Sequence, residues 1–199
     1  MDGFESREFE AQLAGGAAVR HAVYERGQGS PVVLLQELPG IGPETLRLAE
    51  RLVRAGHRVV LPHLFGPLGR VSLVGNTLRA LCMRGELAMF ARGASSPVVD
   101  WLRALCRDVR DRAGGAGVGV IGMCLTGNFA LTLVADESVL AAVASQPSLP
   151  VFAAGDLHMA PSQIAATRAA LDEKGPMLAL RFAGDPLCTA RKFQAIDAA

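Results

Sequence analysis

The strongest chemical signal in the sequence is Cys124, which stands between Gly122 and Gly127 in the pattern G-x-C-x-x-G. A short β-branched run ending at Ile121 precedes this pattern, and a mostly apolar run, residues 128–134, follows it. Where a strand turns directly into a helix, the backbone at the turn is strained, and the side chain of the turn residue is exposed at the carboxyl edge of the sheet. The helix dipole favours a thiolate there, and helix N–H groups stabilise the oxygen of an attacked carbonyl. The pattern predicts a nucleophile elbow with cysteine as the nucleophile.

The segment around Cys124 has two other interpretations. A free cysteine is commonly a core residue, but packing alone does not call for glycines on both sides of it. Gly117, Gly119 and Gly122 also spell G-x-G-x-x-G, the dinucleotide-binding pattern. The first two of these glycines lie before and inside the strand, so no loop remains to hold a pyrophosphate. The sequence therefore favours a reactive thiol.

Composition limits the remaining possibilities. The chain has 199 residues, half of them hydrophobic, with 20 basic and 19 acidic side chains. The length predicts a single domain over residues 1–199. The charge balance provides no charge field for nucleic acid or an anionic membrane. The charged start is unlike a signal peptide, and the four cysteines are scattered without metal-ligand spacing. We expect a cytoplasmic protein with reduced thiols, no membrane contact and no metal.

Strand-like and helix-like segments alternate along the chain, which predicts an α/β domain with a parallel sheet. The predicted strands are residues 31–36, 57–61, 118–121, 139–144 and 177–182, with an edge strand at 18–26. The predicted helices are residues 43–55, 97–113, 128–134 and 161–174, and a helix interrupted at Gly85 is predicted over residues 78–92.

Three side chains that can act in acyl transfer follow predicted strands: Glu37, Cys124 and Asp185. The carboxyl ends of parallel strands meet at one edge of the sheet, so we expect these groups to lie near one another. An alternative interpretation of Glu37 is that it is a solvated loop carboxylate. An alternative interpretation of Asp185 is that it caps a helix whose first residue is Pro186.

Three segments resemble the dienelactone hydrolase family of α/β-hydrolases: residues 32–62, VGVIGMCLTGNFAL and GDPLC. The likeness runs from residue 31 to residue 199. It implies an α/β-hydrolase-like sandwich, with a mainly parallel central sheet and helices on both faces.

The resemblance also implies a role for each candidate residue. Cys124 is the expected nucleophile, Asp185 orients a histidine base, and Glu37 restrains the resting thiol and helps to generate the thiolate. Backbone N–H groups of Leu38 and Leu125 form the expected oxyanion hole. The implied reaction is hydrolysis of a small-molecule ester or lactone through a thioester, without a metal or organic cofactor.

One further residue, Arg84, is a candidate for holding a substrate carboxylate, with a solvated helix arginine as the alternative.

The sequence departs from the family pattern in two places. Thr126 stands where the family usually has glycine, which is tolerable if its backbone angles are ordinary. Only 14 residues follow Asp185, and none is the expected histidine base. We expect the last strand, the base and the closing helix to be missing and activity to be poor. The histidines elsewhere are His21, His57, His63 and His158, of which the last two are the candidates for approaching the site.

Two functions of other classes stay open at this point. The same scaffold without turnover would be a binding or interaction protein, and an unpaired sheet edge favours a homodimer. Alternatively, Cys124 would serve as a thiol redox sensor.

Overall fold

The computed structural model describes residues 1–13, 16, 18–37, 40–66, 68, 96–148, 157 and 159–199. Its centre is a seven-stranded sheet with strand order β1-β2-β4-β3-β5-β6-β7. The strands are β1 (Glu5–Gln12), β2 (Ala18–Arg26), β3 (Pro31–Leu34), β4 (Arg58–Pro62), β5 (Val118–Met123), β6 (Val139–Ser145) and β7 (Leu178–Leu180). The pairs β1–β2 and β2–β4 are antiparallel, and the four other pairs are parallel. The predicted α/β class with a mainly parallel sheet is confirmed.

Five α-helices lie in the described part of the chain. They are α1 (Pro43–Arg54), α2 (Pro97–Arg112), α3 (Gly127–Leu133), α4 (Pro161–Lys174) and α5 (Ala190–Ala198). Three of them begin at a proline, because the fixed φ of proline suits the first helical position and its missing N–H is not needed there. Sequence patterning predicted the first four helices but not α5. The helix predicted over residues 78–92 lies outside the described residues.

Helices cover both faces of the sheet, as predicted. On one face, Trp101 of α2 and Phe129 of α3 share a buried cluster with Val33 of β3. On the other face, Ala49 of α1 packs with Leu34, the next residue along β3. Successive residues of a strand point to opposite faces, so a strand buried on both sides is a continuous apolar run. This arrangement leaves the loops at the strand ends free to carry the site.

The N-terminal prediction needs a correction. Residues 18–26 form β2, but β2 is not an edge strand, because β1 pairs with its residues 18–25 on one side and β4 pairs with it on the other. The β1 sequence, ESREFEAQ, has little of the apolar alternation that identifies a strand. It is held by long-range ion pairs, including Arg7 with Glu25 of β2 at 2.8 Å. At the other side of the sheet, β7 is shorter than the predicted 177–182.

No helix in the described residues is long and apolar enough to cross a membrane.

Lys174 connects the end of α4 to the turn that follows α3 and to the first residue of β6. Its Nζ donates hydrogen bonds to the carbonyl oxygens of Val134, Asp136 and Val139 at 2.9, 2.7 and 3.0 Å. We expect Lys174→Met, which keeps an apolar stem, to lower the free energy of unfolding by about 2 kcal/mol, because three carbonyls lose a charged donor. Urea unfolding checks this, with the exposed Arg54→Met on α1 as the control; equal midpoints for the two variants would contradict it.

Candidate active site

Cys124 lies at the junction between β5 and α3. The strand ends at Met123, and a single 3-10 turn, Cys124–Thr126, leads into the helix at Gly127. Cys124 has a φ of 57°, a left-handed conformation that residues other than glycine rarely adopt. Its side chain is partly exposed. The chain thus has the strand–turn–helix geometry of a nucleophile elbow, with the thiol at the carboxyl end of a central strand.

Thr126 closes the turn in place of the family's glycine. Its Oγ1 accepts a hydrogen bond from the N–H of Met123 at 3.0 Å and donates one to the carbonyl of the same residue at 2.9 Å. Its φ of −77° and ψ of −9° are ordinary right-handed helical values. A β-branched residue is therefore unstrained here, and its hydroxyl bonds both backbone groups of Met123.

Backbone atoms approach both glycines of the elbow closely, and at Gly122 they leave no room for a side chain. A Cβ on Gly122 would lie 2.2 Å from the carbonyl oxygen of Thr126, and a Cβ on Gly127 would lie 3.0 Å from Cα of Pro147. Neither glycine has a positive φ. The argument that packing alone does not call for these glycines is therefore wrong, because tight packing of the turn and of the loop after β6 is what demands them.

Ser148 is the direct partner of the thiol, and sequence reasoning missed it. Its Oγ lies 3.1 Å from Sγ of Cys124, and its N–H donates to the carbonyl of Cys124 at 3.2 Å. It lies in the loop that follows β6, the strand that pairs with β5. The rule that selected Glu37 and Asp185, a polar side chain after a parallel strand, applies equally to this serine.

Glu37 follows the neighbouring strand, β3, at the same edge of the sheet. The β3–β5 ladder pairs Leu34 with Ile121, and Glu37 and Cys124 each come three residues later. Among the described residues no hydrogen bond joins the two. Glu37 is half-buried, and burial raises the pKa of its carboxyl above the ordinary value, with a smaller contribution from Glu44. A raised pKa makes a carboxylate a stronger base than an ordinary one.

Asp185 lies in the loop after β7 and orders that loop. Its Oδ1 accepts hydrogen bonds from the N–H groups of Leu187 and Cys188, both at 2.8 Å. It does not cap α5, because that helix begins at Ala190 and has Thr189 as its N-cap. The helix-cap alternative for Asp185 is therefore wrong.

Cys188 is a buried thiol three residues after Asp185, with no exposed surface. Burial raises the pKa of its thiol, and the negative charge of Asp185 raises it further, against opposition from Arg181 and Lys192. The thiol of Cys188 is therefore held in its neutral form beside the Asp185 loop.

Leu125 follows Cys124 in the elbow turn and is buried. Three other residues of interest, Leu38, Arg84 and His158, lie outside the described residues. The roles proposed for Cys124, Glu37 and Asp185 remain predictions.

The described histidines have partners away from the thiol. His21 packs edge-on against Trp101 with ring centroids 4.8 Å apart, and burial lowers its pKa. His57 contacts the carbonyl of Ser30 ahead of β4. His63 follows β4 and lies 2.8 Å from the carbonyl of Gly66 through Nε2. Since β3 separates β4 from β5, His63 is at the correct edge but two strands from Cys124.

Two comparisons of the sequence found matches. The sequence profile of the dienelactone hydrolase family matches residues 18–199. A carboxymethylenebutenolidase of Rhodococcus opacus is 33% identical over 115 residues, which are 58% of this chain and 42% of that protein. The matched region is thus less than half the length of this relative.

Solved structures share the fold. A dienelactone hydrolase-like promiscuous phosphotriesterase from metagenomic libraries superposes with a TM-score of 0.54 at 15% identity, over 98% of this chain and 95% of that chain. An esterase of Pyrococcus furiosus superposes with a TM-score of 0.61 at 14% identity, over 98% of this chain and 76% of that one. At these identities the likeness extends to the architecture of the sheet and helices, which is that of an α/β-hydrolase.

Proposed function

The chain belongs to the dienelactone hydrolase family, and from that premise we propose that it cleaves a carboxylic ester or lactone through a thioester on Cys124. The observation that carries the proposal is the elbow, where a partly exposed cysteine with a φ of 57° ends a central parallel strand. Strain of this kind persists where the surrounding structure enforces it, and it concentrates at reactive positions. The relative from Rhodococcus opacus is named for the cleavage of a lactone, which is an intramolecular ester.

The proposed first step is attack of the Cys124 thiolate on the substrate carbonyl carbon. The C=O electron pair moves onto the oxygen, and N–H groups of Leu38 and Leu125 stabilise that charge. The pair returns, the C–O bond to the alcohol breaks, and the alcohol oxygen leaves with the proton that the Cys124 thiol gave up when it formed the thiolate. The product of this step is an acyl thioester on Sγ.

The second step regenerates the enzyme. A water molecule adds to the thioester carbonyl, the C–S bond breaks, and a carboxylic acid and the Cys124 thiol are released. Glu37 is proposed to exchange the proton with the thiol, which the raised pKa of its half-buried carboxyl supports. Asp185 is proposed to orient a histidine base, as the family resemblance implies, and Arg84 to hold a carboxylate of the substrate.

Reaction with an activated ester tests the proposal. We expect p-nitrophenyl acetate to release about one equivalent of nitrophenol in a burst and to leave an acetyl group on the Cys124 peptide, detected by mass spectrometry. Release of the acyl group is expected to be slow, because no described histidine contacts the thiol. Cys124→Ala is expected to show no burst, whereas Cys106→Ala, which removes a fully buried thiol of α2, is expected to retain it.

Other outcomes separate the remaining functions. A wild-type chain that is folded but not acylated would contradict the proposal and favour a binding protein. Sulfenic acid formation at Cys124 with hydrogen peroxide, without acylation by the ester, would favour a redox sensor.

A further inference from the structure

The loop after β6 supplies a partner for the nucleophile that the family resemblance did not lead us to expect. We propose that Ser148 is a positioning residue, whose hydroxyl holds Sγ of Cys124 in place and stabilises its thiolate. The two side-chain atoms are 3.1 Å apart, within hydrogen-bonding distance for sulfur and oxygen. Ser148 is buried, with 7% of its surface exposed, so water competes little for this contact.

The backbone around Ser148 is arranged to keep the hydroxyl there. The N–H of Ser148 donates to the carbonyl of Cys124 at 3.2 Å, which ties the loop to the elbow a second time. Pro147 packs directly on Gly127, where a Cβ would approach its Cα to 3.0 Å. Gln146 has a φ of 36°, and its N–H donates to the carbonyl of Leu180 in β7 at 2.7 Å. The loop is thus held from both sides, by the elbow and by β7.

The chemistry of a hydroxyl defines what Ser148 does. A serine O–H is too weak an acid and too weak a base to exchange protons with a thiol near neutral pH, so it is not the general base. A thiolate has no proton, so toward it the hydroxyl can only donate, and a hydrogen bond to an anion is stronger than one to a neutral group. The contact therefore favours the thiolate over the thiol and restrains Sγ to one orientation. Only the consequence of this contact for ester turnover depends on the function proposed above.

Alkylation of Cys124 by iodoacetamide measures the contact directly, because only the thiolate reacts. The rate is followed across pH by mass spectrometry of the Cys124 peptide, which excludes the other cysteines. Ser148→Ala is expected to move the midpoint of the pH profile up by about one pH unit, which makes labelling about tenfold slower below the midpoint. Ser162→Ala, an exposed serine of α4, is the matched control and is expected to label like the wild type.

Two variants with side chains of nearly the same shape distinguish the effect of the hydroxyl group from the effect of side-chain packing. Ser148→Thr is expected to keep the wild-type profile, and Ser148→Val is expected to behave like Ser148→Ala. If Ser148→Ala does not fold, this pair decides the question, since Thr and Val differ by the hydroxyl alone. Equal profiles for Thr and Val, or a wild-type profile for Ser148→Ala, would overturn the inference. Alkylation needs no ester cleavage, so a chain that never acylates still tests Ser148.

Discussion

Gly122→Ala is expected to disrupt the elbow, with the largest loss of both stability and Cys124 reactivity among single methyl additions to β5. The new Cβ would lie 2.2 Å from the carbonyl oxygen and 2.8 Å from the carbonyl carbon of Thr126. These are backbone atoms, so no side-chain rotation relieves the clash, and the turn itself must move. Thr126 is also the residue whose hydroxyl bonds Met123 at both backbone groups. We expect a loss of about 3 kcal/mol in the free energy of unfolding.

The same displacement moves the sulfur. A shift of about 1 Å at a reacting group costs roughly a hundredfold in rate, so ester acylation of Cys124 in Gly122→Ala is expected to fall by about that factor. Gly119→Ala is the matched control in the same strand, because a Cβ there meets Val32 at an ordinary 3.6 Å. Urea unfolding and burst kinetics of the two variants provide the comparison. A Gly122→Ala protein as stable and as reactive as Gly119→Ala would show that the turn tolerates a side chain.

Glu25→Gln is expected to lower the free energy of unfolding by about 3 kcal/mol at pH 7 and to flatten its dependence on pH. Glu25 is buried, yet its carboxylate pairs with Arg7 of β1, Arg58 of β4 and Arg112 of α2. Burial alone would raise the pKa of Glu25, but hydrogen bonds from Arg112, Arg7 and Arg58 outweigh it and lower the pKa from 4.5 to about 2. Removing the charge leaves three guanidinium groups without their shared partner.

The direction of the pH effect follows from the lowered pKa. The folded state binds the Glu25 proton more weakly than the unfolded state, so the stabilisation is complete above about pH 4.5 and is lost as pH falls toward 2. Urea midpoints between pH 7 and pH 3 are expected to fall steeply for the wild type and less steeply for Glu25→Gln.

An exposed ion pair on the same strands provides the control for Glu25. Glu10 pairs with Arg20, and both side chains are largely exposed, so Glu10→Gln is expected to cost less than about 1 kcal/mol. Parallel pH profiles for the wild type and Glu25→Gln would contradict the proposed role of the carboxylate.

The Arg7–Glu25 pair also accounts for the largest error in the sequence-based fold. β1 was not identified, because its own residues carry little apolar periodicity. The ion-pair partners of Arg7 in β1 are Glu25, 18 residues away along the chain, and Asp108, 101 residues away. No local pattern encodes ion pairs over such separations, so only the folded chain reveals why this segment is a strand.

The sequence by itself determined the position of the elbow, the alternation of strands and helices, and the starts of three helices. Each is a local property: glycine spacing around Cys124, apolar runs of strand length, and prolines at first helical positions. It also placed Glu37, Cys124 and Asp185 after strands, since the carboxyl ends of parallel strands share one edge.

Only the tertiary structure decided which groups contact the thiol. Ser148 is 24 residues from Cys124 along the chain and reaches it because β6 pairs beside β5. Gly122 and Gly127 likewise face backbone atoms whose positions depend on the folded turn and on the loop after β6. A local sequence pattern specifies features that depend on neighbouring residues, such as a turn or an apolar strand. Contacts between separate loops depend on the order of the strands in the sheet, and no single segment of sequence specifies that order.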